Sequence, residues 1–249
     1  MDPEEFRRFG YRVVDWIADY RARAAEHPVM SRVEPGSIKA QLPSSPPEEA
    51  EGFEAVLDDL DRVVLPGLSH WQHPRFFGYF PSNGELASVL GDYLSTGLGV
   101  LGLSWQSSPA LTEIEEVTTD WVRQMVGLSD AWSGVIQDTA SSCTLVALVC
   151  ARERATGYSL VRGGLQAEAT PLVVYVSAHS HSSVDKAALL AGYGRENVRV
   201  VAHDAAYAMR PDALEEAVRA DLAAGRRPCP GVATTGTTGT TAPDPVGPI

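Results

Sequence analysis

Residues 172–190, LVVYVSAHSHSSVDKAALL, change character twice in quick succession, and this limits the fold more than any other stretch. Leu172, Val173, Val174, Tyr175 and Val176 form a short run rich in β-branched side chains, which predicts a buried strand. Small and polar residues from Ser177 to Ser183 interrupt it, and a helical pattern follows with Val184, Ala187, Ala188 and Leu190 inward. In an open α/β sheet, ligands bind in the crevice beyond the carboxyl ends of the strands. His179 and His181 fall there, beside several hydroxyls, so chemistry is expected at this point.

Further along, Val198–Val201 reads as a strand and Pro211–Ala224 as a helix with Leu214, Val218 and Leu222 inward. Gly231–Thr234 reads as another strand. Alternating strands and helices imply right-handed crossovers and a parallel sheet, the α/β class. The segment TTGTTGTTAPDP (234–245) suits a low-complexity linker, or a Gly/Thr turn whose hydroxyls face the same crevice. Upstream, Val135-Ile136 predicts a brief strand, 138–143 a turn and Thr144–Ala155 an apolar helix. A turn of Thr, Ala and Ser at a helix head offers amides at the positive end of the dipole, suited to a phosphate. Ordinary capping by Thr139 or Ser141 is the alternative use.

The first part of the chain has a different texture. Residues 2–26 predict a helix, with Asp2 capping, Pro3 in the first turn, and Phe6, Phe9, Val13, Trp16, Ile17 and Tyr20 on one face. A Pro-rich loop (42–50) leads to a second helix, about 47–63, carrying Phe53, Val56, Leu57 and Leu60. These elements predict an arm over 1–83 that packs on another body, of this chain or of a second copy. HWQHPRFFGYFP (70–81) concentrates aromatic residues on a loop, where they join arm to domain or line a pocket; the joining role is favoured for Phe76 and Phe77. The remainder, 84–249, is read as the second domain. It opens with a helical stretch (84–102) and then a helix from Pro109 with Leu111, Ile114, Val117, Trp121, Val122 and Met125 on its buried side.

Composition narrows the function. An apolar content of 44% over 249 residues is ample for a core, and the net charge of −12 argues against nucleic-acid or anionic-membrane partners. No leader-like start or long apolar run is present, and three cysteines (Cys143, Cys150, Cys229) without CxxC spacing suit a reduced, cytoplasmic setting as buried small side chains. His179 and His181 alternate as metal ligands can, but no further ligand stands at a recognisable spacing, so no metal is expected. Ser183-x-x-Lys186 lacks the companion motifs of serine acyl-enzymes, and G-x-S-x-G, G-x-G-x-x-G and the P-loop are absent. A phosphate-binding helix head, a crevice imidazole, hydroxyls at a strand end and an aromatic loop together suit a flat phosphorylated cofactor and an aromatic substrate. Pyridoxal phosphate meets that description.

HPRFFGYFPS (73–82), LSWQSSPALTEIE (103–115), GVIQDTASSCTLVAL (134–148), HSSVDKA (181–187) and VATTGTT (232–238) resemble, in order and spacing, the group II pyridoxal-phosphate-dependent decarboxylases. The subgroup is the aromatic-L-amino-acid decarboxylases, and the resemblance extends over residues 1–249. It implies the fold type I transferase large domain, a mostly parallel sheet flanked by helices, incomplete in this chain. It also implies an N-terminal helical arm packed on the partner in a homodimer. Pyridoxal 5'-phosphate would have its phosphate on Ala140 and Ser141, the catalytic His181 stacked on its ring, and Thr234 beside the ring. Trp71, Tyr79, Phe80, Pro81 and Leu103 would line the pocket of an aromatic L-amino acid, with Ser82 near it; His179 receives no role.

Ser82 replaces the threonine usual in animal enzymes, a mild change that keeps the hydroxyl, and Leu103 replaces a phenylalanine common in the family, which is expected to enlarge the pocket and blurs the choice among DOPA, tyrosine and tryptophan. A larger departure concerns the family's ring-nitrogen aspartate and Schiff-base lysine, which lie beyond the Val-Gly-Pro that this chain carries at 246–248. Neither Lys39 nor Lys186 aligns with that lysine. A complementary C-terminal half is therefore expected to supply it, and this chain alone is not expected to be active. The implied reaction is decarboxylation to the amine and CO2, favoured by a stacking histidine where aldehyde synthases have asparagine. The alternatives are an aldehyde-forming enzyme and a non-catalytic dimerisation or binding half.

Overall fold

In the computed structural model, which describes residues 1–79, 82 and 84–249, the chain opens with helix α1 (Pro3–Ala22). Asp2 accepts the N–H groups of Glu4 and Glu5, and the Glu5 carboxylate takes the Asp2 N–H, so a capping box fixes the start. Phe9 is buried and meets Phe53, the first residue of α2 (Phe53–Asp59), at 5.0 Å between ring centroids. Trp16 donates to Asp61 at 2.7 Å. The second helix is thus shorter than the expected 47–63. It runs into a π turn (Leu60–Val64) and a 3₁₀ turn (Leu65–Gly67) containing Pro66, which has no N–H to continue the ladder. Helix α3 (Leu86–Leu98) follows. The chain divides into two units, Met1–Gly97 and Leu98–Ile249, so α3 lies almost wholly in the first, whereas the sequence reading drew its boundary after residue 83.

The second unit begins with α4 (Pro109–Met125), capped by Ser108, whose hydroxyl accepts the Leu111 N–H. Its expected buried side is exposed: Ile114 is 63% and Met125 81% accessible, and Val117, Trp121 and Val122 are also open. Helical periodicity marks an apolar stripe but not what covers it. Val135-Ile136 is not a strand, because the Ile136 N–H goes to the Glu115 carboxylate at 2.8 Å and not to a sheet neighbour. Helix α5 (Ala140–Thr156) starts four residues earlier than expected and stops at Gly157, whose φ of 62° suits a left-handed cap.

Strand β1 (Leu172–Ser177), helix α6 (Ser182–Leu190), strand β2 (Val198–Val201), helix α7 (Pro211–Ala223) and strand β3 (Arg227–Gly231) complete the unit. The sheet order is β2-β1-β3, all parallel, with Val174 opposite Val198 and Leu172 opposite Arg227. Every residue of β1 is buried, as a central strand covered on both faces requires. Leu172, Val174 and Val176 pack against Leu148 of α5 and Val184, Ala187 and Ala188 of α6. Val173 and Tyr175 face the other way, onto Met209 and onto Leu214 of α7. Leu190 and Leu222, expected inward, are exposed, and β3 ends where the sequence reading began it. Cys143 and Cys150 are exposed and Cys229 half-buried; all three are free thiols, so burial does not explain the first two.

The Gly/Thr tail is built structure and not a linker. Thr235 bridges Pro243, and the fully buried Thr237 has its hydroxyl 2.6 Å from that of Thr240. The α/β class stands, as a parallel sheet flanked by helices.

Candidate active site

Arg227, at the start of β3, donates to the carbonyl of Ala155 near the end of α5 at 3.0 Å. The tail of α5 therefore lies at the amino edge of the sheet, and its head points toward the carboxyl edge. His181 follows β1 and Thr234 follows β3, which are neighbouring strands. Ala140, Ser141, His181 and Thr234 are thereby drawn to one edge of the same unit.

At the head of α5, Thr139 is the N-cap in extended conformation. Its hydroxyl accepts the Ser142 N–H at 3.2 Å, and its carbonyl accepts the Cys143 N–H at 3.1 Å. Among the described residues this leaves the amides of Ala140 and Ser141 without partners, at the positive end of a 17-residue helix. Both possible uses of this turn coexist: Thr139 caps, and the two amides stay free. Asp138 was not singled out from sequence. The Ser142 hydroxyl, and then the Thr139 amide, hold its carboxyl below the usual range.

His181 is the N-cap of α6. Its Nδ1 accepts the Ser183 N–H at 3.2 Å and lies 2.9 Å from the Ser183 hydroxyl. Because an amide only donates, Nδ1 keeps its lone pair and the neutral ring carries its proton on Nε2. One ring edge is thus anchored while the faces remain accessible, and the residue is exposed. Thr234 is half-buried; it donates its N–H to Asp244 at 2.8 Å and accepts the Asp244 N–H at 2.8 Å, and neither bond uses its hydroxyl.

The expected substrate-side residues divide between the units. Leu103 is in the second, and its side chain is 79% exposed. Trp71, Tyr79 and Ser82 are in the first, where Trp71 stacks on Phe76 at 4.8 Å and on Tyr79 at 5.7 Å. The Ser82 carbonyl accepts from Gln72 at 2.6 Å. Phe77 is 90% exposed, so it does not close a patch within its own unit. Phe80 and Pro81 lie outside the described residues. His179 and His181 have different neighbours: His181 turns to Ser183, whereas the ring of His179 packs against His203 and Tyr207. Among the described residues no group of three metal-ligating side chains occurs, and no helix is long and apolar enough to cross a membrane.

Residues 35–249 match the family described as "Pyridoxal-dependent decarboxylase conserved domain". The chain is 43% identical over 254 residues to phenylacetaldehyde synthase of Arabidopsis thaliana, covering 99% of this chain and 51% of that protein. It is 40% identical over 261 residues to tyrosine decarboxylase of Papaver somniferum, covering 100% and 50% respectively. It superposes on the crystal structure of Catharanthus roseus tryptophan decarboxylase in complex with L-tryptophan with a TM-score of 0.92 and 36% identity, over 100% of this chain and 54% of that one. The chain spans about half the length of the curated relatives it matches.

The residues present fit the cofactor that this family description names. Two unpartnered amides at a helix head suit a phosphate, and an exposed imidazole anchored by one edge suits a flat heterocycle.

Proposed function

The chain belongs to the pyridoxal-dependent decarboxylase family, and from that premise we propose that it is the N-terminal half of an enzyme converting an aromatic L-amino acid to its amine and CO2. The observation that supports this reading is the pair of free amides at Ala140 and Ser141 at the head of α5, in a chain whose residues 35–249 match the family. Pyridoxal phosphate, when bound, supplies the electron sink for the bond that breaks. The amides of Ala140 and Ser141 would bind its phosphate. His181, held by Ser183, would present its ring face to the heterocycle, and Thr234 would offer its hydroxyl beside it. The family resemblance assigns Trp71, Tyr79 and Ser82 of the first unit, and Leu103 of the second, to the recognition of an aromatic substrate.

A complementary C-terminal segment would supply the lysine that holds the cofactor and the aspartate at its ring nitrogen. Complete subunits would form a homodimer through the N-terminal arm, in the cytoplasm. The likeness to a phenylacetaldehyde synthase favours a second reading, oxidative formation of an aldehyde. Co-expression with the C-terminal half of a relative, followed by product analysis on tyrosine, DOPA, tryptophan and phenylalanine, separates them. The expected product is the amine with CO2. Aldehyde with ammonia would favour the second reading, and no product from a cofactor-loaded assembly would overturn both.

A further inference from the structure

His179 has no task in the reaction just described, yet it sits in a defined cluster. Its ring meets that of His203 at 4.6 Å between centroids with planes at 62°, and that of Tyr207 at 5.0 Å with planes at 78°. The cluster follows from strand register. Ser177 pairs with Val201 at the carboxyl ends of β1 and β2, and each histidine stands two residues beyond its strand. A tight turn then returns Tyr207 to the pair. The Asp204 carboxylate secures that turn by accepting the N–H groups of Ala206 at 2.8 Å and Ala208 at 3.0 Å.

A hydrogen bond assigns the lone pair of His203. His203 Nδ1 lies 2.8 Å from the carbonyl oxygen of Asp204, which can only accept, so Nδ1 carries the proton and Nε2 keeps its lone pair. On His179, Nε2 is buried and has no partner among the described residues. Leaving such a group unsatisfied costs about 1–3 kcal/mol, so a further group is expected to meet it. Neutral imidazoles are preferred ligands of zinc, nickel and copper ions. A ring nitrogen bonded to a backbone carbonyl, as on His203, is the usual support behind a metal-bound histidine.

We propose that His179 and His203 form a two-imidazole site for a divalent transition-metal ion of the zinc class, walled by Tyr207 and completed by water. Both turn bonds of Asp204 fall on Oδ1, and His181 Nδ1 is committed to Ser183, so the two imidazoles are the core of the ligand set. With two protein ligands the site is exchangeable, not structural. It is independent of the decarboxylase reading.

The test is calorimetric titration of Zn2+ into the 249-residue chain, its His179→Ala variant and its His203→Gln variant, together with imidazole 15N spectra of the unsubstituted chain. The expected result is that each substitution abolishes one zinc equivalent or weakens it by at least about tenfold. In the unsubstituted chain the Nε2 signals of both histidines should shift together with that equivalent. Unchanged zinc binding in both variants, or 15N shifts confined to other histidines, would overturn the proposal and leave a bridging water as the partner of His179. The spectra need no variant, so a substitution that disturbs folding does not rescue the idea.

Discussion

Asp244 and Thr234 hold each other by reciprocal backbone bonds: the Asp244 carboxylate accepts the Thr234 N–H at 2.8 Å, and the Asp244 N–H donates to the Thr234 carbonyl at 2.8 Å. The second carboxylate oxygen takes the Met209 N–H at 2.7 Å, and Asp244 is buried. One side chain thus ties the segment after β3 to the turn before α7. Asp244→Ala strands the buried Met209 amide and the half-buried Thr234 amide and is expected to cost about 2–4 kcal/mol, read as a lower urea midpoint. Asp244→Asn, which keeps one acceptor, should cost less.

Tyr175 donates to Asp221 at 3.0 Å beneath the sheet, and Arg199 and Arg226 bond the same carboxylate. Burial first, and then the Asp221 bond, push the Tyr175 phenol from 10.0 up to about 12. The unfolded chain therefore loses this proton near its ordinary value while the folded chain retains it. Stability from this group is complete below pH 10.0 and declines as pH rises toward about 12. Denaturation midpoints across that range should fall, and Tyr175→Phe should remove this part of the slope.

His70 is 1% exposed, pairs through Nδ1 with the Tyr20 hydroxyl at 2.9 Å, and stacks on His27 at 4.6 Å. Burial, followed by the charges of His27 and His73, lowers its pKa from 6.5. As pH falls through 6.5 the unfolded chain takes up a proton that the folded chain refuses, so stability is full above that value and drops below it. Unfolding followed from about pH 7.5 to about 5.5 should show the loss, and His70→Gln should flatten it.

How much of this could be read in advance differs by element. The run at 172–176 announced β1, and the small residues after it announced α6, because both signals are local. Strand β3 was set too late because Pro228 and Pro230 argue against a strand; it tolerates them on the outer side of the β2-β1-β3 order. The tail resembled a linker because its order comes from Asp244, a long-range bond that composition does not reveal. The motifs single out Ala140, Ser141, His181 and Thr234 because each motif is local in the chain, whereas the His179–His203 contact needs the register of two strands.

His181 caps α6, and substitution can separate that role from the one proposed for it in the reaction. His181→Ala loses the N-cap of α6 and is expected to cost about 0.5–2 kcal/mol in addition to any catalytic loss. His181→Asn restores a good capping group, so its melting temperature should match the parent within a few degrees while amine formation by the assembled enzyme falls sharply. An unaffected rate in both variants would remove His181 from the mechanism.

The most direct measurement is the affinity for pyridoxal phosphate of the Ala140→Pro variant, assembled with a complementary C-terminal half. Proline removes one free amide and suits the first helical position, and Thr139 already has the extended backbone (φ −146°, ψ 159°) that a following proline requires. Loss of one charge-assisted bond predicts at least about tenfold weaker binding of the phosphorylated cofactor. The melting temperature, and the binding of pyridoxal lacking the phosphate, should be unchanged. Undiminished affinity for pyridoxal phosphate would contradict the assignment of the α5 head as its phosphate site.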